Sequence, residues 1–374
     1  MIKTENFNIP GNKPRVLVAP LDWGLGHATR CIPIISKLLQ QNCEVIIAAE
    51  AAGKILLQKE FPGLIFIDLK GYRMQYSRHK IWMPLKFLLQ FPKLIFRIYA
   101  ERSWLNKLVD DNKIDGVISD NRLGLSSKKI PCVYITHQLQ IKTGNAFTER
   151  IAQKIHYHFI NKYAACWVPD AAGEKNLAGQ LSHPAVSPKV PVIYLGPLSR
   201  FEKKDVEIKY DLCVILSGPE PQRTVFEKII LKELHKFSGT AFLLRGLPGN
   251  STVIKPSFNT VEIRNHLPAA ELNQVLLQSK IILSRSGYTT IMDLVKLQKK
   301  AILVPTPGQT EQEYLGGYLH KQSLFYTVKQ EMFLLDDTLE EVTAFSFKEE
   351  PVLQNDYEKI IEHFVKHVLN KHQK

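Results

Sequence analysis

Short apolar runs recur along the chain, alternating with stretches of helical periodicity. RVLVAP (15–20), EVIIAAE (44–50), LIFIDL (64–69), DGVISD (115–120) and PCVYITH (131–137) are each bounded by turn residues and read as short buried strands. Between them, IPIISKLLQQ carries apolar residues at Ile32, Ile35, Leu38 and Leu39, and a longer helical region runs from about 81 to 109. Strands that alternate with helices predict βαβ units, because a parallel neighbour needs a crossover long enough to hold a helix.

The pattern pauses at LSHPAVSPKVPVIYLGPLSRFEKKD, which is rich in proline and then in charge and suits a linker or domain edge. It then restarts. DLCVILSG (211–218), TAFLLRG (240–246), IILSRSG (281–287) and AILVPTP (301–307) read as strands, with helices over TVFEKIILKELHKF, AAELNQVLLQ and TTIMDLVKLQ. The last helix, DYEKIIEHFVKHVLN, places Ile360, Ile361, Phe364, Val365, Val368 and Leu369 on one side. The expected architecture is α/β: two doubly wound parallel-sheet Rossmann-like domains facing across a cleft. A flexible N-terminus (1–14) precedes a first domain (15–196), a linker (197–210) and a second domain (211–350). The final segment (351–374) is expected to pack back on the first domain. In such sheets ligands bind beyond the carboxyl ends of the strands, so the loops there are where chemistry is sought.

Composition narrows the class. The chain has 374 residues, 45% of them hydrophobic and 23% charged, which is a globular composition long enough for two domains. Cys31, Cys43, Cys132, Cys166 and Cys213 are scattered without a C-x-x-C pair, which argues against a disulfide framework or zinc site and for a reducing cytosol. The polar N-terminus has no apolar core of a signal peptide, and no run approaches the roughly 18 apolar residues of a membrane span. The net charge of +13 favours an acidic partner: nucleic acid, an anionic membrane or a phosphate-bearing substrate. The basic residues form no tail, which ranks nucleic acid last.

Three loops can carry chemistry. In APLDWGLGHATR (19–30), Gly24 and Gly26 allow a sharp turn into a helix N-terminus, with His27 as a titratable group and Arg30 as a cation. Thr29 stands where a dinucleotide fingerprint needs its third glycine, so an NAD site is weakly supported. In SGPEPQR (217–223), Ser217, Gly218 and Arg223 can meet a phosphate. In SRSGYTTIMDL (284–294), Ser286 and Gly287 lead into a helix with Thr289 or Thr290 as the expected N-cap, and Asp293 lies one turn further on. The following VPTPGQTEQEY sets Gln309, Gln312 and Glu313 beside the same edge, polar groups suited to sugar hydroxyls.

GLGH after the first strand, SRSG…T…D and VPTPGQTEQ together resemble the GT-B glycosyltransferases, above all those with a C-terminal half like MurG and the UDP-glucuronosyltransferases. The resemblance covers most of the chain in outline and is motif-level from about 262 to 317. It implies a nucleotide-sugar donor, UDP-linked, on the second domain and an acceptor on the first. Carried over by position, Ser217, Gly218, Arg223, Ser286, Gly287, Thr289 and Thr290 would cradle the diphosphate. Asp293 would take the ribose hydroxyls, where the family usually has the longer Glu; the backbone at His266 and Leu267 would read the base. Gln309, Gln312 and Glu313 would meet the donor sugar, and Gly24, Gly26, His137 and Gln138 would lie on the acceptor side. LDWGLGH departs from the family's GGTGGH in carrying Asp22 and Trp23.

Sugar transfer needs a base for the acceptor proton and positive charge or N–H dipoles for the departing diphosphate. His27 is the candidate base, with Asp120 its first candidate carboxylate partner and Asp22 the second. No Asp-x-Asp occurs, so no metal is expected; Arg223, Arg245 or Arg285 would supply the charge, and no cofactor beyond the nucleotide-sugar co-substrate is needed. His363 with His367, and His156 with His158, read as surface residues rather than metal ligands. The segment 70–107 sets Tyr72, Tyr76, Trp82, Phe87, Phe91, Phe96, Tyr99 and Trp104 among Lys80, Lys86, Lys93, Arg97 and Arg102, with Glu101 its only acid and Pro84 and Pro92 as breaks. It reads either as a helix burying its aromatics or as a face for an anionic membrane, which would make the acceptor a lipid or cell-envelope glycan. The expected place is then the cytoplasm, peripheral at the inner face of the membrane. A nucleotide-sugar epimerase on the same fold and a non-catalytic polyanion-binding protein are the competing classes.

Overall fold

The computed structural model describes residues 13–72, 83–249, 260–348 and 356–369. The expectations for residues 1–12, for Tyr76, Lys80 and Trp82, and for 349–355 lie outside them, as do the side chains of Lys86, Phe87 and Phe91. The chain divides into two compact units, and Lys175–Gly179 groups with the second although both its flanks belong to the first.

The first unit is built on seven parallel strands: β1 (Arg15–Pro20), β2 (Glu44–Ala49), β3 (Ile65–Asp68), β4 (Gly116–Asp120), β5 (Cys132–Ile135), β6 (Ala165–Val168) and β7 (Val192–Tyr194). Their order is β3-β2-β1-β4-β5-β6-β7, so the winding reverses between β1 and β4. Pro20 is paired with Asp120 there, which sets the two strand ends side by side. β1 and β4 are apolar on both faces because helices cover both, and Leu17, Val117, Tyr134 and Trp104 share one core. The helices are α1 (Leu25–Gln40), α2 (Ala51–Glu60), α3 (Met83–Asp110) and α4 (Ala146–Ile160). α1 starts seven residues before the apolar pattern at Ile32 and holds Pro33 inside it. Burial of Ile32, Ile34, Ile35 and Leu38 outweighs the hydrogen bond the proline cannot make. α3 likewise runs through Pro92, which the sequence read as a break. β7 falls in the proline-rich stretch, as an edge strand.

The second unit has six parallel strands in the order β10-β9-β8-β11-β12-β13: β8 (Tyr210–Ile215), β9 (Ala241–Leu244), β10 (Val261–Arg264), β11 (Ser279–Ser284), β12 (Ala301–Leu303) and β13 (Tyr326–Thr327). Its helices are α5 (Gln222–Leu234), α6 (Ala269–Leu277), α7 (Tyr288–Leu297), α8 (Thr310–Lys321) and α9 (Leu335–Ala344). The reversal lies between β8 and β11, where Ile215 pairs with Ser284. From Ser199 the expected linker is tied to this unit: Ser199 bonds Asp293, and the Glu202 amide donates to Asn273 at 3.2 Å.

The final helix, α10 (Tyr357–His363), continues in a wider turn through Phe364–Leu369 and belongs to the first unit. It packs along α1, with Lys37 paired to Glu358 at 3.1 Å. Phe364 meets Trp167 edge-on, and a Cβ on Gly116 would stand 2.4 Å from Leu369.

Candidate active site

At the β1/β4 reversal the chain leaves β1 through Gly24, whose φ of 82° favours glycine, and enters α1 with no side-chain cap and no acid in the first turn. Leaving that helix end uncapped fits a polar or anionic ligand. His27 and Arg30, three residues apart, share a helical face turned to the end of β4. His27 Nδ1 lies 3.2 Å from Asp120 Oδ2. Arg30 grips the same carboxylate, Nε donating to Oδ2 at 2.8 Å and Nη2 to Oδ1. Its Nη2 is also 2.9 Å from His27 Nδ1, and its Nη1 is 3.4 Å from His137 Nδ1. Asp120 is fully buried, Arg30 nearly so, and the His27 side chain keeps 14% of its exposure.

The charges follow from these contacts. Burial opposes ionisation of Asp120, but Arg30 and then His27 outweigh it and hold its carboxyl at about 2. Burial lowers the pKa of His27; Asp120 works the other way, and Arg30 adds to the lowering. Asp22, the second candidate partner, instead accepts the Tyr72 amide at 3.3 Å and fills the space beside Gly71. Gly26 lies in the first turn of α1, while His137 and Gln138 follow β5, His137 buried and the Gln138 amide donating to Thr136 Oγ1 at 3.0 Å. Behind the site, Arg122 donates to Glu101 at 2.9 Å, to the Pro20 carbonyl at 3.3 Å and to the Leu69 carbonyl at 3.1 Å, joining three strand ends. Burial pushes the Glu101 carboxyl up to about 7 against the pull of Arg122.

In the second unit, β11 ends in Ser284 and passes through Arg285 and Ser286 to α7. Gly287 is the N-cap there and no side chain caps the helix; Thr289 and Thr290 lie inside its first turn instead. The cap residue adds no side chain at the helix entrance. Ser286 Oγ donates to the Gln312 carbonyl at 2.8 Å, and Gln312 Oε1 accepts the Thr306 amide at 2.9 Å. Glu313 accepts the Gly308 amide at 2.9 Å, and Gln309 is the N-cap residue of α8. Gln312 and Glu313 thus brace the 305–309 loop, and the Thr306 hydroxyl in it is buried without a hydrogen-bond partner. Asp293 accepts the Ser199 hydroxyl at 2.6 Å, and burial raises its carboxyl to about 7 against the opposing pull of that bond and of Arg200. Leu267 is buried and His266 half-buried between β10 and α6.

The three candidate arginines are engaged inside the protein. Arg223 pairs with Glu220 at 2.6 Å and Glu227 at 3.1 Å, and Arg245 pairs with the same Glu227. Arg285 donates to the Val304 and Pro305 carbonyls and to Gln330, and stacks 4.0 Å over Phe226; burial brings its pKa down to about 10. The amide of Thr224 donates to Glu220, so an acid already occupies the start of α5 where Ser217, Gly218 and Arg223 were expected to meet phosphate. A buried guanidinium keeps a partner because an unpaired one would cost too much, which leaves these three without a free face for diphosphate.

Residues 254–371 match the family described as the glycosyltransferase family 28 C-terminal domain. The whole chain is similar in structure to MurG of Acinetobacter baumannii, with 14% identity, coverage of 96% of this chain and 99% of that one, and a TM-score of 0.55. It is similar to SnogD of Streptomyces nogalater at 14% identity, 94% and 99% coverage and a TM-score of 0.60. The spinosyn rhamnosyltransferase SpnG, solved with thymidine diphosphate, aligns at 12% identity, 95% and 96% coverage and a TM-score of 0.59. No curated protein matches by sequence. The chain has the GT-B fold.

Two residues of these candidate sites escape sequence reasoning. Arg30 reads in the sequence only as a cation, although its three-residue spacing from His27 is a usable signal. Ser199 had none, because nothing in sequence ties it to a residue 94 positions away. His156, read as a surface residue, is buried with Nε2 3.3 Å from the Tyr134 hydroxyl, and burial lowers its pKa to about 4. The aromatic segment divides: Tyr72, Ile98 and Trp104 are core, while Phe96 and Tyr99 are 70% and 54% exposed. Among the described residues no helix is long and apolar enough to cross a membrane, and no three His, Cys, Asp or Glu side chains gather as a metal site.

Proposed function

We propose that this protein is a glycosyltransferase that moves a sugar from a UDP-linked donor to an acceptor hydroxyl, with inversion at the anomeric carbon, without a metal and with His27 as base. The observation that carries the reading is the His27–Asp120 contact of 3.2 Å at the sheet's reversal point. With Nδ1–H donated to Asp120, Nε2 is left to take the acceptor proton. The acceptor oxygen forms its bond to the anomeric carbon as the bond to the diphosphate breaks on the opposite face. The departing charge falls to the N–H groups around Gly287, Thr289 and Thr290 at the α7 entrance, a task for which the buried arginines are not placed. Asp293 takes the ribose, with Ser199 beside it.

The solved complex of SpnG with thymidine diphosphate supports a nucleotide donor. The exposed Phe96 and Tyr99 with Lys93 on α3 fit peripheral attachment to an anionic membrane from the cytoplasmic side. The test is a thermal-shift panel of nucleotides and nucleotide sugars, followed by turnover of the donor that binds. His27→Ala is expected to lose about 10²–10⁴-fold in turnover with donor affinity kept. If no nucleotide stabilises the protein, or His27→Ala turns over normally, the reading fails.

A further inference from the structure

His27 Nδ1 faces two groups that want opposite things from it. Asp120 Oδ2 at 3.2 Å can only accept a proton, and Arg30 Nη2 at 2.9 Å can only donate one. One nitrogen cannot satisfy both. If Nδ1 carries the proton it bonds Asp120 and leaves Nε2 as a base; if Nδ1 accepts from Arg30, Nε2 carries the proton and can only donate. A carboxylate alone beside the imidazole would pull it toward the imidazolium, which is no base at all. Here that carboxylate is held on both oxygens by a guanidinium three residues along the same helix.

We propose that Arg30 is a positioning residue of the transfer reaction: it clamps Asp120 by both oxygens and stands against His27 Nδ1, so that the imidazole is aimed by the carboxylate yet remains uncharged until it takes the acceptor proton. This rests on the reading of His27 as base. The proton moves from the acceptor hydroxyl to Nε2 while Nδ1–H stays on Asp120, and it leaves to solvent after the product does.

The surroundings of His27 fit this role. The charged and titratable groups facing it are Asp120 from β4, Arg30 from its own helix and His137 from the turn after β5; the Cys31 thiol lies 3.7 Å from Asp120. Burial lowers the pKa of His27 most; Asp120 raises it, and Arg30 and His137 lower it. Removing the guanidinium leaves the carboxylate's whole charge to the imidazole, so protonation of His27 moves to higher pH.

The experiment compares full-length wild type, Arg30→Met and Arg30→Lys in the pH dependence of kcat and in an NMR titration of the His27 Cε1–H, assigned with His27→Gln. For Arg30→Met the titration and the acid limb of kcat are expected to rise together by about one unit, so that activity on the acid limb, at pH values below both titrations, falls roughly tenfold and recovers as pH is raised, with donor KM unchanged. Arg30→Lys keeps the charge but not the two-pronged grip, and is expected to fall between. If either folded variant loses activity equally at every pH, with the His27 titration unmoved, the proposal is overturned. A rise in acceptor KM with the limb unmoved overturns it as well, because Arg30 would then be a substrate contact. The titration needs no turnover. An unmoved wild-type titration in Arg30→Lys and Arg30→Met therefore refutes the coupling itself, whereas absence of any transfer by wild type refutes the base reading beneath it.

Discussion

Replacing Asp293 with Asn is expected to make the protein more stable and less able to hold nucleotide. Burial raises its carboxyl from the ordinary 3.8 to about 7, against the pull of the Ser199 hydroxyl bond and of Arg200. Below about pH 4 the group is protonated folded or unfolded, and folding costs nothing extra. Between 4 and 7 the unfolded chain releases its proton while the folded one keeps it, so stability falls as pH rises. Above 7 both are ionised and the full cost is present. A shift of that size corresponds to about 4 kcal/mol as an upper bound, and partial contact with water reduces it to roughly 1–3. Asn keeps an acceptor for the Ser199 hydroxyl at 2.6 Å and removes the buried charge. Urea unfolding of wild type and Asp293→Asn at pH 8 and pH 4 measures the effect, with a titration of the tightest nucleotide alongside. A stability gain that is the same at both pH values, or no gain at pH 8, refutes the argument that the carboxylate is held at a cost. Unchanged nucleotide affinity refutes the ribose assignment alone.

Glu227→Ala strips the shared partner from Arg223 and Arg245 and is expected to cost about 3–5 kcal/mol in urea unfolding, whereas a surface acid such as Glu358 removed in the same way costs under about 1. Gly116→Ala puts a methyl 2.4 Å from Leu369 and is expected to cost about 1–3 kcal/mol, part of which Leu369→Val regains; independent, additive effects would show that the contact is not the cause. Phe96→Ser with Tyr99→Ser leaves the thermal midpoint within a few degrees and weakens sedimentation with phosphatidylglycerol vesicles several-fold; retention of binding shows that this face is not the one that attaches.

The strands were legible because apolar runs such as RVLVAP and IILSRSG need covering on both faces, and their alternation with helices determined the parallel sheets. Boundaries were harder. Pro33 and Pro92 argue locally against helix, and only the packing of their neighbours overrules them. Thr289 has cap chemistry, but the N-cap falls two residues earlier, at Gly287. His27 and Asp120 could be named from their strand-end positions, since a reversal point brings two such ends together. The arginines could not. Whether Arg223 meets a ligand or Glu227 depends on which side of α5 faces the sheet, although the four-residue spacing of that pair was there to be read.

Because α10 closes over α1 and lays Phe364 on Trp167, the first unit is sewn from two stretches of chain that flank the second. On the ribosome its sheet can form early, but the patch beside Gly116 and Trp167 stays uncovered until residues 364–369 emerge. The second unit's strands are made in between, before α10 is available. Maturation thus runs out of sequence order, and a late truncation would strike the earliest-made half of the molecule.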